Sequence, residues 1–283
     1  MTGEHRLPTR VPGTVTLTTD FGLRDAYVAE MKGVMLGIAR KAGQSLQFVD
    51  VTHEVERHDI TEGALALEAA APFFPPGTVH LAVVDPSVGT ARRGLALAVG
   101  GQLLVGPDNG LFTPFLAGDG WRAFEIAEAD YRLPFVSRTF HGRDLFAPAA
   151  AHLALGLDPA RLGPVVTDPA RLVWPEVRAV AGAVAGAVVH TDRFGNLITS
   201  IHARSTDLLD AGVVIRVGGR VVPVVGTYAE LPVGRPGALV GSAGRLEIAV
   251  REGSAAAVLR ASRGTAVVVS RTTSESRRPR RRR

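Results

Sequence analysis

The chain has 283 residues, 46% hydrophobic and 21% charged, the make-up of an ordinary globular protein, which excludes a disordered chain and a coiled coil. Its formal charge of +5 comes from the end, where Arg277, Arg278, Arg280, Arg281, Arg282 and Arg283 outweigh the total, so the folded body is not basic and offers no extended nucleic-acid surface. There is no cysteine, which excludes disulfides, zinc thiolate sites and thiol nucleophiles and leaves any chemistry to oxygen and nitrogen groups.

In chain order, "MTGEHRLPTRVPG" has no apolar core of a signal peptide, and no later stretch has the length of uninterrupted apolar sequence that a membrane span needs, so a soluble cytoplasmic protein is expected. "TVTLTT" (14–19) alternates as a strand, and residues 24–40 carry apolar side chains at helical spacing. "SLQFVDVT" (45–52) reads as a second strand, and residues 59–74 as a helix stopped by Pro75 and Pro76. "TVHLAVVD" (78–85), "GLALAV" and "QLLVG" continue the strands, and residues 143–157 form a last helix. Strand alternating with helix predicts a largely parallel sheet covered on both faces, an α/β domain that collects ligands at the carboxyl ends of its strands. Asp20 and Asp85 both fall at such ends.

Three prolines between Pro164 and Pro175, with no sustained period, mark a domain boundary near Leu172. Beyond it, short β-rich runs broken by Gly and Asp predict a smaller all-β, barrel-like domain. The expected organisation is therefore an α/β domain over 1–172, a β domain over 173–270 and a disordered arginine-rich tail over 271–283.

Four stretches are polar where periodicity does not require it: "TTDFG" (18–22), "VVDPSVGTARR" (83–93), "RTFHGRDLFAP" (138–148) and "HTDRFGNLITSI" (190–201). Each has a plain reading. Asp20 can cap the next helix, Asp85 its own turn, His141 the helix before Asp144, while Arg92 can be a solvated charge and Asp192 and Asn196 can form a hairpin turn around Gly195. Several strand-end polar groups beside glycines, spread over two domains, instead favour a shared cleft.

Taken together with "TLTTDFGLRDAYVAEMKG", "VDVTHEV", "GPDNGL", "FHGRDLFAPAAAHLA" and "GSAGRLEIAVREGSAA", these stretches resemble the S-adenosylmethionine hydroxide adenosyltransferase family, which hydrolyses S-adenosylmethionine to adenosine and methionine and is related to fluorinases and chlorinases. The resemblance implies that Asp85, Arg92 and His141 are catalytic and that Asp20 holds the ribose hydroxyls. It implies that Asp192, Phe194 and Asn196 surround the methionine and adenine portions, and that Ser242 contacts the methionine end. It also implies a homotrimer with sites shared between subunits, and no cofactor or metal, S-adenosylmethionine being the substrate.

The residues suit that chemistry. The sulfonium already carries positive charge, so methionine leaves as a neutral thioether without acid or metal assistance. Water, with a bulk pKa of about 15.7, is the difficult partner and must be aligned and deprotonated as it attacks the 5′ carbon. Asp85 or His141 can take the proton, and Arg92 can orient the carboxylate and steady the forming hydroxide. A carboxylate such as Asp20 can accept from two neighbouring ribose hydroxyls, Asn196 can read an adenine edge and Phe194 can offer an apolar face. No Walker loop or dinucleotide fingerprint accompanies them.

The chain departs from the family at Ser87, often Gly, and at Ala243 and Arg245, where others carry bulkier aromatic or amide residues, which puts the shape of the methionine pocket in question. The alternatives are a halogenase of the same superfamily, a trimer that binds adenosine without turnover, and a nucleic-acid module using the tail, for which at most weak attraction is expected. Against the halogenase stand Asp85, where halogenases tend to carry an aromatic residue, Gly142, where they carry a small hydroxyl residue, and the lack of the loop fluorinases add before "GPDNGL".

Overall fold

A computed structural model describes residues 13–180, 182–203 and 212–271. The arginine tail after Arg271, and with it any nucleic-acid attraction, lies outside the described residues. The chain divides into two compact units, the first ending at Leu172 and the second beginning at Val173.

The first unit is a mixed sheet flanked by helices. Strand β1 (Gly13–Thr19) leads to helix α1 (Tyr27–Lys41), β2 (Leu46–Thr52), α2 (Ile60–Ala70) and β3 (Val79–Val83). Then come β4 (Gly94–Val99), β5 (Gln102–Pro107), β6 (Trp121–Glu125), helix α3 (Ala147–Ala154) and β7 (Val165–Val166), in the sheet order β2-β1-β3-β5-β4-β6-β7. The strands β2, β1, β3 and β5 are mutually parallel. β1 to β2 steps outward and β2 to β3 steps back across β1, so right-handed crossovers put α1 and α2 on opposite faces.

Side chains follow that division. Val15, Leu17, Val79, Leu81 and Val83 face the layer of α1 and α3, where Met31 and Met35 are fully buried. The α1 residues that reach this core, Val28, Met31, Met35 and Ala39, recur at the spacing of one helix face. The opposite face carries Thr16, Thr18, His80, Ala82 and Val84 toward α2, and Gly63 lets that helix approach Val84 closely. Covering both faces explains why β3 is buried along its whole length.

The other half of the sheet is antiparallel. Gly100 (φ 58°) and Gly101 (φ 79°) close a two-residue hairpin between β4 and β5, the positive-φ turn that matches strand twist, and β6 and β7 pair antiparallel beyond β4. Strand–helix alternation does not reveal this, since a two-residue turn leaves no room for a crossover helix.

The second unit is an all-β, nearly closed barrel built from β8 (Arg178–Val180), β9 (Ala183–Thr191), β10 (Leu197–His202), β11 (Val213–Val217), β12 (Arg220–Val222), β13 (Pro236–Val240), β14 (Arg245–Val250) and β15 (Ala266–Arg271). The order is β12-β11-β15-β9-β10-β14-β13, with β8 beside β9. Bonds from Val225 N to Ala238 O (2.9 Å) and from Ala238 N to Pro223 O (2.8 Å) bring the two ends together, so few strand edges stay unpaired. Ala255 and Leu259 of the short helix α4 (Ala255–Leu259) join Val188, Leu197, Ile215, Leu246 and Ile248 in the barrel core. Among the described residues no helix is long and apolar enough to cross a membrane.

Candidate active site

β1 and β3 are neighbours and parallel, so their carboxyl ends lie side by side on one edge of the sheet. Asp20 follows β1 by one residue and Asp85 follows β3 by two, which sets two carboxylates on the edge where such sheets bind ligands. Beyond Asp85 the chain turns through Gly89, whose φ of 79° suits glycine and whose Cα backs onto the Arg138 carbonyl, and returns to β4 with Arg92 just ahead of it.

This return places Arg92 against Asp85. The guanidinium Nε donates to both carboxylate oxygens at 3.0 Å, and Nη2 also donates to Oδ2. Ser87 adds a hydroxyl bond to Oδ1 at 3.1 Å. Both charged side chains are nearly buried, at 5% exposure for Asp85 and 7% for Arg92. Arg92 stacks over the Phe146 ring, 5.0 Å from its centroid. Three donor groups thus make four contacts with the carboxylate, two at each oxygen.

His141 completes the trio. Its Nδ1 lies 2.8 Å from Arg92 Nη2. Because a guanidinium only donates, Nδ1 must accept, and the neutral imidazole then carries its hydrogen on Nε2. Burial, and next the Arg92 charge, push the His141 pKa below its ordinary 6.5, while Asp85 and Asp144 oppose this in part. His141 sits at the start of a π-turn over Gly142–Phe146, and the bare Cα of Gly142 fits against Phe140 and Met31. Asp144, buried beneath, accepts from Arg143 Nε (2.6 Å), Arg143 Nη2 (3.1 Å) and Ser137 N (2.8 Å), which ties down the loop ahead of His141. The structure thus brings together Asp85, Arg92 and His141, and of their plain readings a turn cap, a solvated charge and a helix cap do not describe them.

Asp20 does not cap α1, whose first turn has no side-chain cap. Its Oδ2 accepts from His58 N at 2.9 Å, and Oδ1 has no protein partner among the described residues. In the second unit Asp192 does build the hairpin turn: Oδ1 accepts from Phe194 N and Asn196 N at 2.9 Å, and Oδ2 accepts from the Asn196 amide at 3.0 Å. Phe194 at the turn tip is 71% exposed, whereas Asn196 is buried. Ser242 and Ala243 are exposed in the turn between β13 and β14. Arg245 is buried under Trp174 and donates to the Thr199 and Ser200 carbonyls at a bulge of β10, a fold-holding role.

The sequence alone gives no functional part to Asp144, Arg143, Phe146, Ser87, or the Asp50 and His53 of "VDVTHEV". Polar residues in the apolar opening of a helix, as in "FHGRDLF", are the signal that points to the first of these. Within electrostatic reach of Asp192, Tyr228 donates to Glu247 Oε1 at 2.6 Å, and burial raises the Glu247 pKa. No three His, Asp or Glu side chains converge as a metal-ligand set among the described residues.

Sequence comparison finds relatives that match both units. A family model of the SAM hydroxide adenosyltransferase N-terminal domain matches residues 15–163, and one of the SAM hydroxide adenosyltransferase C-terminal domain matches 186–268. An (R)-S-adenosyl-L-methionine hydrolase from Thermus thermophilus is 46% identical over 249 residues, 85% of this chain and 93% of the relative. A fluorinase from Actinoplanes sp. is 30% identical over 273 residues, 83% of this chain and 90% of the relative. The crystal structure of an uncharacterized conserved protein from Thermotoga maritima superposes with a TM-score of 0.81 at 34% identity, over 91% of this chain and all of that one. The chain belongs to the SAM hydroxide adenosyltransferase family.

Proposed function

We propose that this protein is an S-adenosylmethionine hydrolase that forms adenosine and methionine by in-line attack of water on the 5′ carbon of the ribose. The observation that carries the reading is the part-buried chain Asp85–Arg92–His141 at the carboxyl edge of the sheet. Asp85 is its one anion, so it receives the water proton. His141 has its Nδ1 lone pair engaged by Arg92 and keeps an N–H at Nε2, a donor for the water oxygen. Arg92 holds both partners and spreads positive charge where hydroxide character develops. As the new C–O bond forms, the C–S bond electrons return to sulfur, and the proton lost by water leaves through Asp85.

Asp20, with Oδ1 open, binds the ribose hydroxyls, Asn196 reads the adenine edge, Phe194 covers an apolar face, and Asp192 and Ser242 serve the methionine end. Arg245 lies under Trp174 and leaves pocket shape to the smaller Ala243. The cationic leaving group makes the reaction independent of metal and cofactor, and the assembly is a homotrimer. The halogenase reading is weaker: hydrolase relatives stand at 40–46% identity and the fluorinase relatives at 27–30%.

The test is incubation with S-adenosylmethionine, with and without chelator, followed by chromatography. Equal amounts of adenosine and methionine at a chelator-independent rate are expected. Intact S-adenosylmethionine beside measurable binding overturns the hydrolase in favour of a binding protein, and a halogenated nucleoside formed in halide buffer overturns it in favour of a halogenase.

A further inference from the structure

Behind Asp20 lies a second polar chain that takes no part in the reaction above. Lys32 Nζ of α1 binds Asp50 Oδ2 of β2 at 2.7 Å. Asp50 Oδ1 is 3.2 Å from His53 Nε2, and His53 Nδ1 is 2.8 Å from Thr19 Oγ1. Thr19 Oγ1 in turn accepts from Phe21 N at 3.3 Å, and the His53 carbonyl accepts from Gly22 N at 2.7 Å. The directions of donation are consistent. Nε2 lies beside the Asp50 carboxylate without a hydrogen bond to it, and on the other side of the ring the Thr19 hydroxyl, whose oxygen receives Phe21 N–H, has its own hydrogen to give to Nδ1.

Thr19 and His53 are buried, so neither is open to a ligand. What the chain grips is backbone: the N–H groups of Phe21 and Gly22, the two residues after Asp20. The same segment after β2 supplies His58 N–H to Asp20 Oδ2, from a residue held at a φ of 66° that side chains other than glycine rarely adopt. Asp20 is thus fixed twice from the end of β2, through its neighbours and through its own carboxylate.

We propose that Asp50, His53 and Thr19 are positioning residues that aim the free Oδ1 of Asp20, so that preference for an intact ribose depends on side chains that never touch the sugar. The proposal rests on Asp20 being the ribose-binding group. It assigns the conspicuous "VDVTHEV" stretch a function that the catalytic trio leaves unexplained. A carboxylate that swings freely gains little from meeting two hydroxyls, because ordering it offsets the bonds made; a carboxylate already held in place keeps that gain.

The experiment compares turnover of S-adenosylmethionine with that of its 2′-deoxy analogue in wild type, Asp20→Ala, Thr19→Val, Thr19→Ser and His53→Gln. The wild type prefers the intact ribose. Thr19→Val keeps the shape and removes the hydroxyl, and is expected to shrink the kcat/KM preference by about tenfold, the size of one lost hydrogen bond, with kcat on the deoxy analogue unchanged. Thr19→Ser restores the preference, a rescue that a packing role does not produce. Thermal unfolding midpoints check that each variant folds, and His53→Gln supplies a second readout if Thr19→Val is unstable. If Asp20→Ala loses the preference while Thr19→Val and His53→Gln keep it in full, the relay is wrong. If Asp20→Ala itself keeps the preference, the ribose reading of Asp20 falls and the relay with it.

Discussion

The loop after β3 and the turn after β9 carry similar residues in opposite states. In the first, Asp85 is bonded to Arg92 seven residues on, Arg92 in turn reaches His141 at the start of a distant helix, and the Asp85 charge is buried and matched. In the second, Asp192 spends both oxygens on its own turn, and Phe194 stands exposed at the tip. The difference separates two tasks. A buried ion pair that loses one member leaves an uncompensated charge, so the first loop is fixed before any ligand arrives, as preorganised chemistry requires. On the proposed function, the second turn, with its exposed aromatic ring, serves to hold the ligand. Changes in the first region should therefore act on kcat, and changes in the second on binding.

The largest effect expected is that of Asp85→Asn, which keeps the shape and removes the basicity. The rate at saturation should fall by roughly a hundredfold to ten-thousandfold, with equilibrium binding of S-adenosylmethionine nearly unchanged. A loss confined to binding would erase the contrast between the regions. Next comes pH. His141 must be neutral to accept from Arg92, and its folded pKa lies below 6.5, so activity is present above that pKa and is lost as pH falls through it. The acid limb of the kcat profile should lie below pH 6.5, falling by about tenfold per unit. An acid limb above 6.5 would mean that a different group sets it.

Asn196→Ala should raise KM by about tenfold while kcat changes less, since the proposed function assigns the Asn196 amide to the base. If kcat falls as far as KM rises, the second region contributes to the reaction step as well. Smallest is Ser87→Gly, which removes one of three donors on Asp85 and should change kcat by about fivefold or less, sharpening how much of the carboxylate's orientation comes from Arg92 alone.

What was readable in the sequence follows the reach of each interaction. Strands such as β1 and β3 and the face of α1 repeat at the period of the backbone, and a one-dimensional pattern shows them. The Asp192 turn was readable as a turn because its bonds span four residues. The antiparallel half of the sheet was not, since Gly100 and Gly101 decide it in two positions. Nor was the burial of Arg245, which bonds carbonyls more than forty residues away. The grouping of Asp85 with His141 came from family resemblance, because nothing local to "FHGRD" points to a partner in another loop. The relay from Asp50 through His53 to Thr19 joins two strand ends and needed the structure.

The central claim is that the trio directs water to the 5′ carbon. The most direct measurement is a single turnover in heavy-oxygen water followed by mass spectrometry of both products. The account predicts one heavy oxygen on adenosine, at its 5′ hydroxyl, and none on methionine. Label in the amino-acid product, or adenosine released without label, would contradict it.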